Sequence, residues 1–487
     1  MADIKVLMVL DGARMNFGPQ QPMNDLDQDY FGVHTLVTAL ANSTSPTIQV
    51  DMAHRRGFTF QGKGTDADNN VHEDCSAGLL APFYGKDFVF AQTSPPGPNT
   101  VTVDLMQYDV LWLIADEGLM ASTPGNTALG TTKDAPLSGD EKIAIANFMD
   151  SQGGVFAVGD HDGIGSMMCG DLLRVRTMRR WWAWNQNPPY DPGNGQSFQT
   201  NWNAYGLDPS HPAQPDRNDT LQPDSYDSLY YFNDQSDAKP QQLLTASGTL
   251  LTGAQGAVHP LLRDSQGAII GNFPDHMHEG EATDFTTISA TASPFNPNDG
   301  QNAPFEVPYQ DHLGNTQKFP EFWSVNGFQP APEVIAYDAD SGHSTYYDFS
   351  SSGPAYVMTQ KKSRGAVSVY DGRAVGRGRV ITGTTFHHYI DKNLVGDPMT
   401  AATGMPQHGP TGSNTGLAAA TVQSITDYYV NAVSWLARPN NNFQIWTVKS
   451  TFGAAESLTA GNAFSNAFYL VLEGFAPSVV GANPTIA

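Results

Sequence analysis

The chain is poor in cysteine. Its 487 residues include two, Cys75 and Cys169, which excludes a disulfide-rich scaffold and a zinc site built from four thiolates. A single disulfide between the two stays open. Neither cysteine stands at the turn after a predicted strand, so we do not expect a cysteine nucleophile.

Cations are also scarce, and long apolar runs are missing. Lys and Arg number 25 against 49 for Asp and Glu, a formal net charge of -24. Nucleic acids and anionic membranes are bound through clustered cations, so we expect neither as a partner. No apolar run approaches the roughly 20 residues that span a bilayer, and the N-terminal residues lack the basic leader of a signal peptide. We therefore expect a cytoplasmic protein.

Three well-known motifs are absent from the sequence. There is no Gly-x-Ser-x-Gly elbow, no Walker A loop, and no Gly-x-Gly-x-x-Gly after the first predicted strand. Gly376-Arg377-Gly378 precedes a strand pattern rather than a helix pattern. We therefore expect no nucleotide cofactor.

What the chain does contain is an alternation of strand and helix patterns. Apolar runs typical of buried strands occur at 5–10, 47–52, 109–115 and 153–158. Helical spacing covers 30–40, and Ser138 with Glu141 forms a capping box that opens a second helix. Repeated units of this kind predict an α/β fold, a parallel sheet with helices on both faces.

The composition divides the chain into four parts. Residues 1–183 and 331–440 are predicted to form the α/β core, the second with strands at 333–337, 355–359, 366–370 and 378–383 and a helix over 417–436. Residues 184–330 are rich in Pro, Asn, Asp, Gln, Ser and Gly and are predicted to be a loop-rich insertion. Residues 441–487 alternate like short strands and are predicted to be a small C-terminal β appendage.

Ionisable residues follow four of the predicted strands. They are Asp11, then Asp116 and Glu117, then Asp160, His161 and Asp162, and finally His387 and His388. The carboxyl ends of parallel strands lie at one edge of a sheet, where ligands bind. A histidine beside carboxylates can move protons or bind a metal ion.

We therefore expect a catalytic site centred on His161. Asp160 or Asp162 would orient His161, His387 or His388 would complete the site, and Glu117 is a further catalytic candidate. On a strand the tandem histidines point to opposite faces, so at most one faces the site unless the chain has already turned. The substrate-binding candidates are Asp11, Asp116 and Trp182.

The predicted insertion contributes a candidate metal site. His276 and His278 lie on the same side of an extended segment, a spacing used in many zinc and iron sites. Glu279 or Asp275 can supply a carboxylate ligand or a general base. The segment therefore predicts a divalent metal ion such as zinc, iron or manganese. The alternative is a hydrogen-bonded loop that closes over the site.

The order of these elements resembles the class I glutamine amidotransferase-like fold, and within it the trehalose-utilisation (ThuA-like) family. Gly159-Asp160-His161 is similar to the elbow of these proteins, with histidine at the position of the amidotransferase nucleophile. The stretch from Gly376 to His388 is similar to the family's late strand, and Ser434-Trp435-Leu436-Ala437 to the end of its closing helix. The resemblance covers residues 1–180 and 355–440. It implies a flavodoxin-like core without glutaminase activity, in a group associated with carbohydrate metabolism.

Three functional hypotheses follow. The first is an enzyme that hydrolyses, eliminates from or isomerises a small polar molecule such as a carbohydrate. The second is a non-catalytic binding or assembly protein on a degenerate core of this kind. The third is a metal-dependent hydrolase whose chemistry resides around His276. The enzyme hypothesis fails if His161 lies more than about 10 Å from His387 and His388 with no shared cavity, beyond any hydrogen-bonded link. The sequence predicts no oligomeric state.

Overall fold

The structure is a computed structural model. It describes residues 3–12, 15–17, 31–55, 79–80, 83, 87–91, 100–116, 137–160, 165–170, 172–180, 228–232, 241–251, 258–274, 281–282, 306–310, 313–339, 344–348, 355–358, 363–394 and 415–439. The predicted C-terminal appendage, 441–487, lies outside these ranges.

Strands outnumber helices among the described residues. In chain order the strands are β1 (Ile4–Asp11), β2 (Met15–Asn16), β3 (Phe31–Gly32), β4 (Ile48–His54), β5 (Leu79–Leu80), β6 (Asp87–Val89), β7 (Thr100–Thr102), β8 (Val110–Ala115), β9 (Gly154–Val158), β10 (Arg179–Arg180), β11 (Ser228–Phe232), β12 (Gln241–Leu244), β13 (Asn272–Phe273), β14 (Glu281–Ala282), β15 (Glu306–Gln310), β16 (Thr316–Pro320), β17 (Glu333–Ala339), β18 (Ser344–Asp348), β19 (Ala355–Met358), β20 (Ser363–Tyr370) and β21 (Val380–Gly383). The α-helices are α1 (His34–Ala41), α2 (Gly139–Asp150), α3 (Ser166–Cys169), α4 (Val175–Met178), α5 (Asp391–Leu394) and α6 (Thr415–Leu436). None of these helices is long and apolar enough to cross a membrane.

A 10-stranded sheet in the order β13-β12-β17-β20-β21-β9-β8-β1-β4-β5 forms the centre of the fold. From β21 to β5 every neighbouring pair is parallel. All residues of β8 and β9 are buried, as is typical of parallel strands covered on both faces. The predicted parallel strands of the first 183 residues are therefore present in this half of the sheet.

The other half of the sheet is antiparallel, which corrects the prediction of a parallel sheet. β20 pairs antiparallel with both β21 and β17, and β12 pairs antiparallel with β17 and β13. A parallel neighbour needs a crossover of a dozen or more residues, usually a helix. Residues 371–379, which join β20 to β21, contain only the short 3₁₀ turn Gly372–Val375. The fold is therefore α/β on a mixed sheet.

Side chains of the parallel strands alternate between two apolar clusters. In β1, Val6 and Met8 belong to a cluster that contains buried residues of α1 and α6. Leu7 and Val9 belong to a second cluster with buried residues of α2, α3 and α4. Because successive strand residues point to opposite faces, helices cover both faces of this part of the sheet.

The predicted capping box is confirmed at the start of α2. Ser138 accepts from the backbone N–H of Glu141, and the Glu141 carboxylate accepts from the Ser138 N–H at 2.9 Å. Its other oxygen accepts from the Phe90 N–H at 3.2 Å. Glu141 therefore joins the helix start to a neighbouring loop as well as capping it.

Described residues of the predicted insertion contribute to the main sheet. β12 and β13 extend it beyond β17, and β14 pairs with β10. A buried polar contact between this region and the core is made by Glu321. One carboxylate oxygen accepts from the Arg174 N–H at 2.7 Å, and the other accepts from Nε of Arg176 at 2.9 Å. The segment around Glu321 is thus joined to the core by buried charge.

Removal of this carboxylate should destabilise the protein severely. Glu321→Ala leaves the buried Arg176 guanidinium without this partner, and breaking one side of a buried ion pair costs about 3–5 kcal/mol. Glu333→Ala is the matched control, because Glu333 is exposed on β17 and surface changes stay within about 0.5 kcal/mol. Urea unfolding of the three proteins measures both values, and equal losses would contradict the assignment.

Candidate active site

Polar residues meet where β1, β8, β9 and β21 end, an edge of the sheet that we call the carboxyl edge. Asp11 ends β1, Asp116 follows β8, Asp160 follows β9 by two residues, and Thr384 follows β21. All four are buried. The predicted convergence of strand ends is therefore present for Asp11, Asp116 and Asp160. The other predicted site residues, Glu117, His161, Asp162, Trp182, His276, His278 and Glu279, lie outside the described residues.

Asp160 and His387 are in contact at this edge. Oδ2 of Asp160 lies 3.4 Å from Nε2 of His387. Oδ1 accepts a hydrogen bond from the Thr385 hydroxyl at 2.6 Å. The same hydroxyl accepts from the His387 backbone N–H at 3.0 Å. Thr385 therefore fixes both members of the pair relative to each other.

The tandem histidines lie on a turn and not on a strand. β21 ends at Gly383, Thr385 caps the 3₁₀ turn Phe386–His388, and the two rings diverge from there. The His387 ring stacks on Phe386 with centroids 4.8 Å apart. The His388 ring packs edge-on against Phe273 at 5.0 Å, in the apolar core. Of the two predicted catalytic histidines, only His387 faces Asp160.

A buried arginine underlies this pair. Arg179 of β10 donates from Nη2 to the carbonyl oxygen of Asp160 at 2.6 Å and from Nε to that of Gly383 at 2.9 Å. Nη2 also donates to the Thr384 carbonyl. Burial lowers the pKa of Arg179 to about 9, while the Asp160 charge acts in the opposite direction. The guanidinium is therefore a cation at neutral pH.

A second polar group lies at the ends of β1 and β4. Asp11 and Arg55 approach to 3.4 Å, with both side chains buried. Nε2 of His54 lies 2.9 Å from the Gly12 carbonyl oxygen. Gly12 has φ +111°, and a Cβ there would come within 2.6 Å of Asp116. Glycine thus allows Asp116 to lie directly against the turn after Asp11.

Two further polar side chains at this edge lack partners among the described residues. Both polar atoms of the Asn16 carboxamide and the Thr384 hydroxyl are buried without a hydrogen bond there. Asn16 is paired with Gly32, the neighbour of Phe31. Phe31 in turn lies 5.9 Å from the His387 ring. Buried polar groups without partners are uncommon and call for an explanation such as a bound ligand or water.

No family model, curated protein or solved structure matches this chain. The family resemblance of the sequence therefore stays a prediction.

Sequence reasoning missed several of these residues. A Ser or Thr just before a turn is a common cap, so Thr385 had a local signal in Thr384-Thr385-Phe386. Arg179 and Arg55 had no local sequence signal, since the fold determines which residues they contact. Among the described residues, no group of three or more His, Cys, Asp or Glu side chains is arranged to bind a metal ion.

Asp391 connects the turn that carries His387 to α1. Its carboxylate accepts from the backbone N–H groups of His34 and Thr35 at 3.0 and 2.8 Å. These are donors that a helix start leaves without intrahelical partners. Burial raises the pKa of Asp391, against the hydrogen bonds from Thr35. The cap of α1 thus comes from a residue far away in the chain.

Loss of the Thr385 hydroxyl should loosen the site. Thr385→Val keeps the shape of the side chain but removes the hydrogen bond to the Asp160 carboxylate and the cap of the turn. We expect a loss of about 2 kcal/mol in the free energy of unfolding. Thr385→Ser retains the hydroxyl and should lose clearly less. Equal losses in denaturant unfolding would mean that the hydroxyl contributes nothing.

Cys169 should be unreactive in the folded protein. It is a buried free thiol, and burial, followed by the charge of Asp11, raises its pKa. Since the thiolate is the reactive form, iodoacetamide should modify Cys169 only after unfolding. Peptide mapping by mass spectrometry with and without urea measures this, and rapid labelling of the native protein would contradict the burial.

Proposed function

We propose that this protein is an enzyme in which His387 acts as general acid and base on a small polar substrate. The observation that carries the proposal is the contact of 3.4 Å between Nε2 of His387 and the buried carboxylate of Asp160. A histidine exchanges protons near neutral pH, and a neighbouring carboxylate fixes its tautomer and stabilises its charged form. The pair therefore has the parts that proton transfer requires.

The surroundings give each member of the pair one orientation. The Thr385 hydroxyl occupies the Asp160 oxygen that does not face His387, so the carboxylate directs the other oxygen to the ring. Phe386 stacks on the imidazole and restricts its rotation. The opposite ring nitrogen, Nδ1, would then exchange the proton with the substrate. This atom is buried, so the substrate has to enter a closed site to reach it. Hydrolysis, elimination and isomerisation all need such an exchange.

The substrate would lie along the carboxyl edge. In open α/β sheets, ligands bind beyond the carboxyl ends of the strands. The six parallel strands have the order β5-β4-β1-β8-β9-β21. Without the two-residue β5 this is the 2-1-3-4-5 order of a flavodoxin-like core, and with β5 it is 3-2-1-4-5-6, the order of the other common doubly wound fold. Asn16, Asp11 and Asp116 supply polar groups suited to hydroxyl groups, so a carbohydrate remains the substrate class we propose.

Several earlier expectations stay predictions. His161, Asp162 and Glu117 would add to the site from their strand ends, and Trp182 would contact the substrate. A divalent metal at His276, His278 and Glu279, the absence of a nucleotide cofactor, and a cytoplasmic location are likewise untested. The expectation that the protein binds no nucleic acid and no membrane also stays a prediction.

The proposal is tested by substrate screening with matched variants. The purified protein is assayed against a panel of chromogenic glycosides, esters and amides. For any substrate that is turned over, His387→Gln and Asp160→Asn should each lower kcat/KM about 10²–10⁴-fold, the usual contribution of general acid–base catalysis. His34→Gln is the matched control, because the described hydrogen bond of the His34 ring is to Thr38 on α1.

One result would overturn the proposal, and two others would favour a different function. If His387→Gln folds like the wild type and retains full activity on such a substrate, His387 is not the acid–base group. Turnover that disappears only in His276→Ala/His278→Ala would instead favour a metal-dependent hydrolase of the insertion. Binding of a sugar without turnover in the wild type would favour the non-catalytic binding protein.

A further inference from the structure

Arg179 joins two turns that are distant in sequence. Its donors reach the carbonyl oxygen of Asp160, which follows β9, and those of Gly383 and Thr384, at the end of β21. The residue is 1% exposed. A cation is expensive to bury, and here main-chain carbonyl dipoles and the nearby Asp160 charge offset that cost. The three carbonyl oxygens fix the position of the guanidinium.

The carbonyls that Arg179 binds adjoin the catalytic pair directly. One belongs to Asp160 itself, and another belongs to Thr384, the residue before Thr385. Thr385 in turn bonds both the Asp160 carboxylate and the His387 N–H. A shift of either turn would therefore change the distance between Asp160 and His387.

From this geometry we propose that Arg179 is a positioning residue, which sets the Asp160–His387 pair by fixing the two turns that carry it. This inference rests on the proposed function of that pair. The donors that hold the two turns act through the main chain, since they bond carbonyl oxygens and not side chains. In this role Arg179 positions the pair and does not itself need to touch the substrate.

Arginine suits this role better than lysine. The guanidinium is planar and carries five donors in a fixed fork, so Nε and Nη2 can bond carbonyls of two different turns at once. A lysine ammonium is a single point on a flexible stem. It can retain the charge but cannot bond both turns in the same geometry.

The test measures the state of His387 without any substrate. The protein is labelled with ¹⁵N-histidine, and the ring nitrogen signals of His387 are assigned by their loss in His387→Gln. In the wild type these signals should report one tautomer, with the proton on Nε2 facing Asp160. Arg179→Ala should abolish this pattern, and Arg179→Lys should retain it in part. Free guanidinium at a sub-denaturing concentration should restore it in Arg179→Ala, while sodium chloride of equal ionic strength should not.

Arg379→Ala is the matched control. Arg379 is also a mostly buried arginine with an acidic partner, Asp371 at 2.7 Å, and it donates to the Trp435 carbonyl at 3.0 Å. Its loss should destabilise the fold but leave the His387 signals unchanged. A general loss of stability would move the signals in both variants alike, which would overturn the positioning role.

The two Arg179 variants each give a result that supports or overturns the inference. Unchanged His387 signals in folded Arg179→Ala overturn the inference. If that variant does not fold, Arg179→Lys decides in its place, with altered signals in support and wild-type signals against. The proposed function fails separately, when His387→Gln keeps its activity, and that result leaves the ¹⁵N spectra and their interpretation untouched. Once a substrate is known, Arg179→Lys should lower kcat far more than it changes KM.

Discussion

Parallel hydrogen bonding between β1, β8, β9 and β21 is the constraint on which the candidate site depends. Parallel neighbours end at the same edge of the sheet, so residues separated by hundreds of positions become adjacent without any direct attraction between them. The apolar runs that build these strands are buried on both faces. Their burial supplies the stability that allows charged groups to be held at the strand ends.

Charge burial at this edge is balanced locally. Asp11 faces Arg55, and Asp160 lies beside Arg179 and His387. An isolated buried charge would cost several kcal/mol or more, and Asp11 and Asp160 each have a cation or a hydroxyl within contact. Cys169 lies among them and its pKa responds to Asp11, Arg179 and Arg55. The Asp11–Arg55 pair and Arg179 therefore both act on the region around Cys169, beneath the carboxyl edge.

The sequence predicted the parts of this fold that depend on local pattern. The apolar runs of β1, β4, β8 and β9 and the capping box at Ser138 were visible because neighbouring residues determine them. The antiparallel pairing of β17 and β20 was not, since a strand pattern carries no direction. The partners of Arg179 and the cap that Asp391 gives to α1 join residues far apart in the chain. The residues next to Arg179 and Asp391 in the sequence therefore do not predict these contacts.

The strand order also restricts what substrate the proposed site would accept. The order reverses between β1 and β8, since the chain first adds β4 on one side of β1 and then β8 on the other, and ligand crevices open at such points. Asp11 ends β1 and Asp116 follows β8 at this point, whereas Asp160 and His387 lie beyond the ends of β9 and β21. Neighbouring strands are about 4.8 Å apart, so β1 is about 10 Å from β9 and about 14 Å from β21. A molecule that contacts Asp11 while its reacting bond lies at His387, on the turn after β21, must span about 10–14 Å, which is longer than a single small acid or amine and at least the length of a disaccharide.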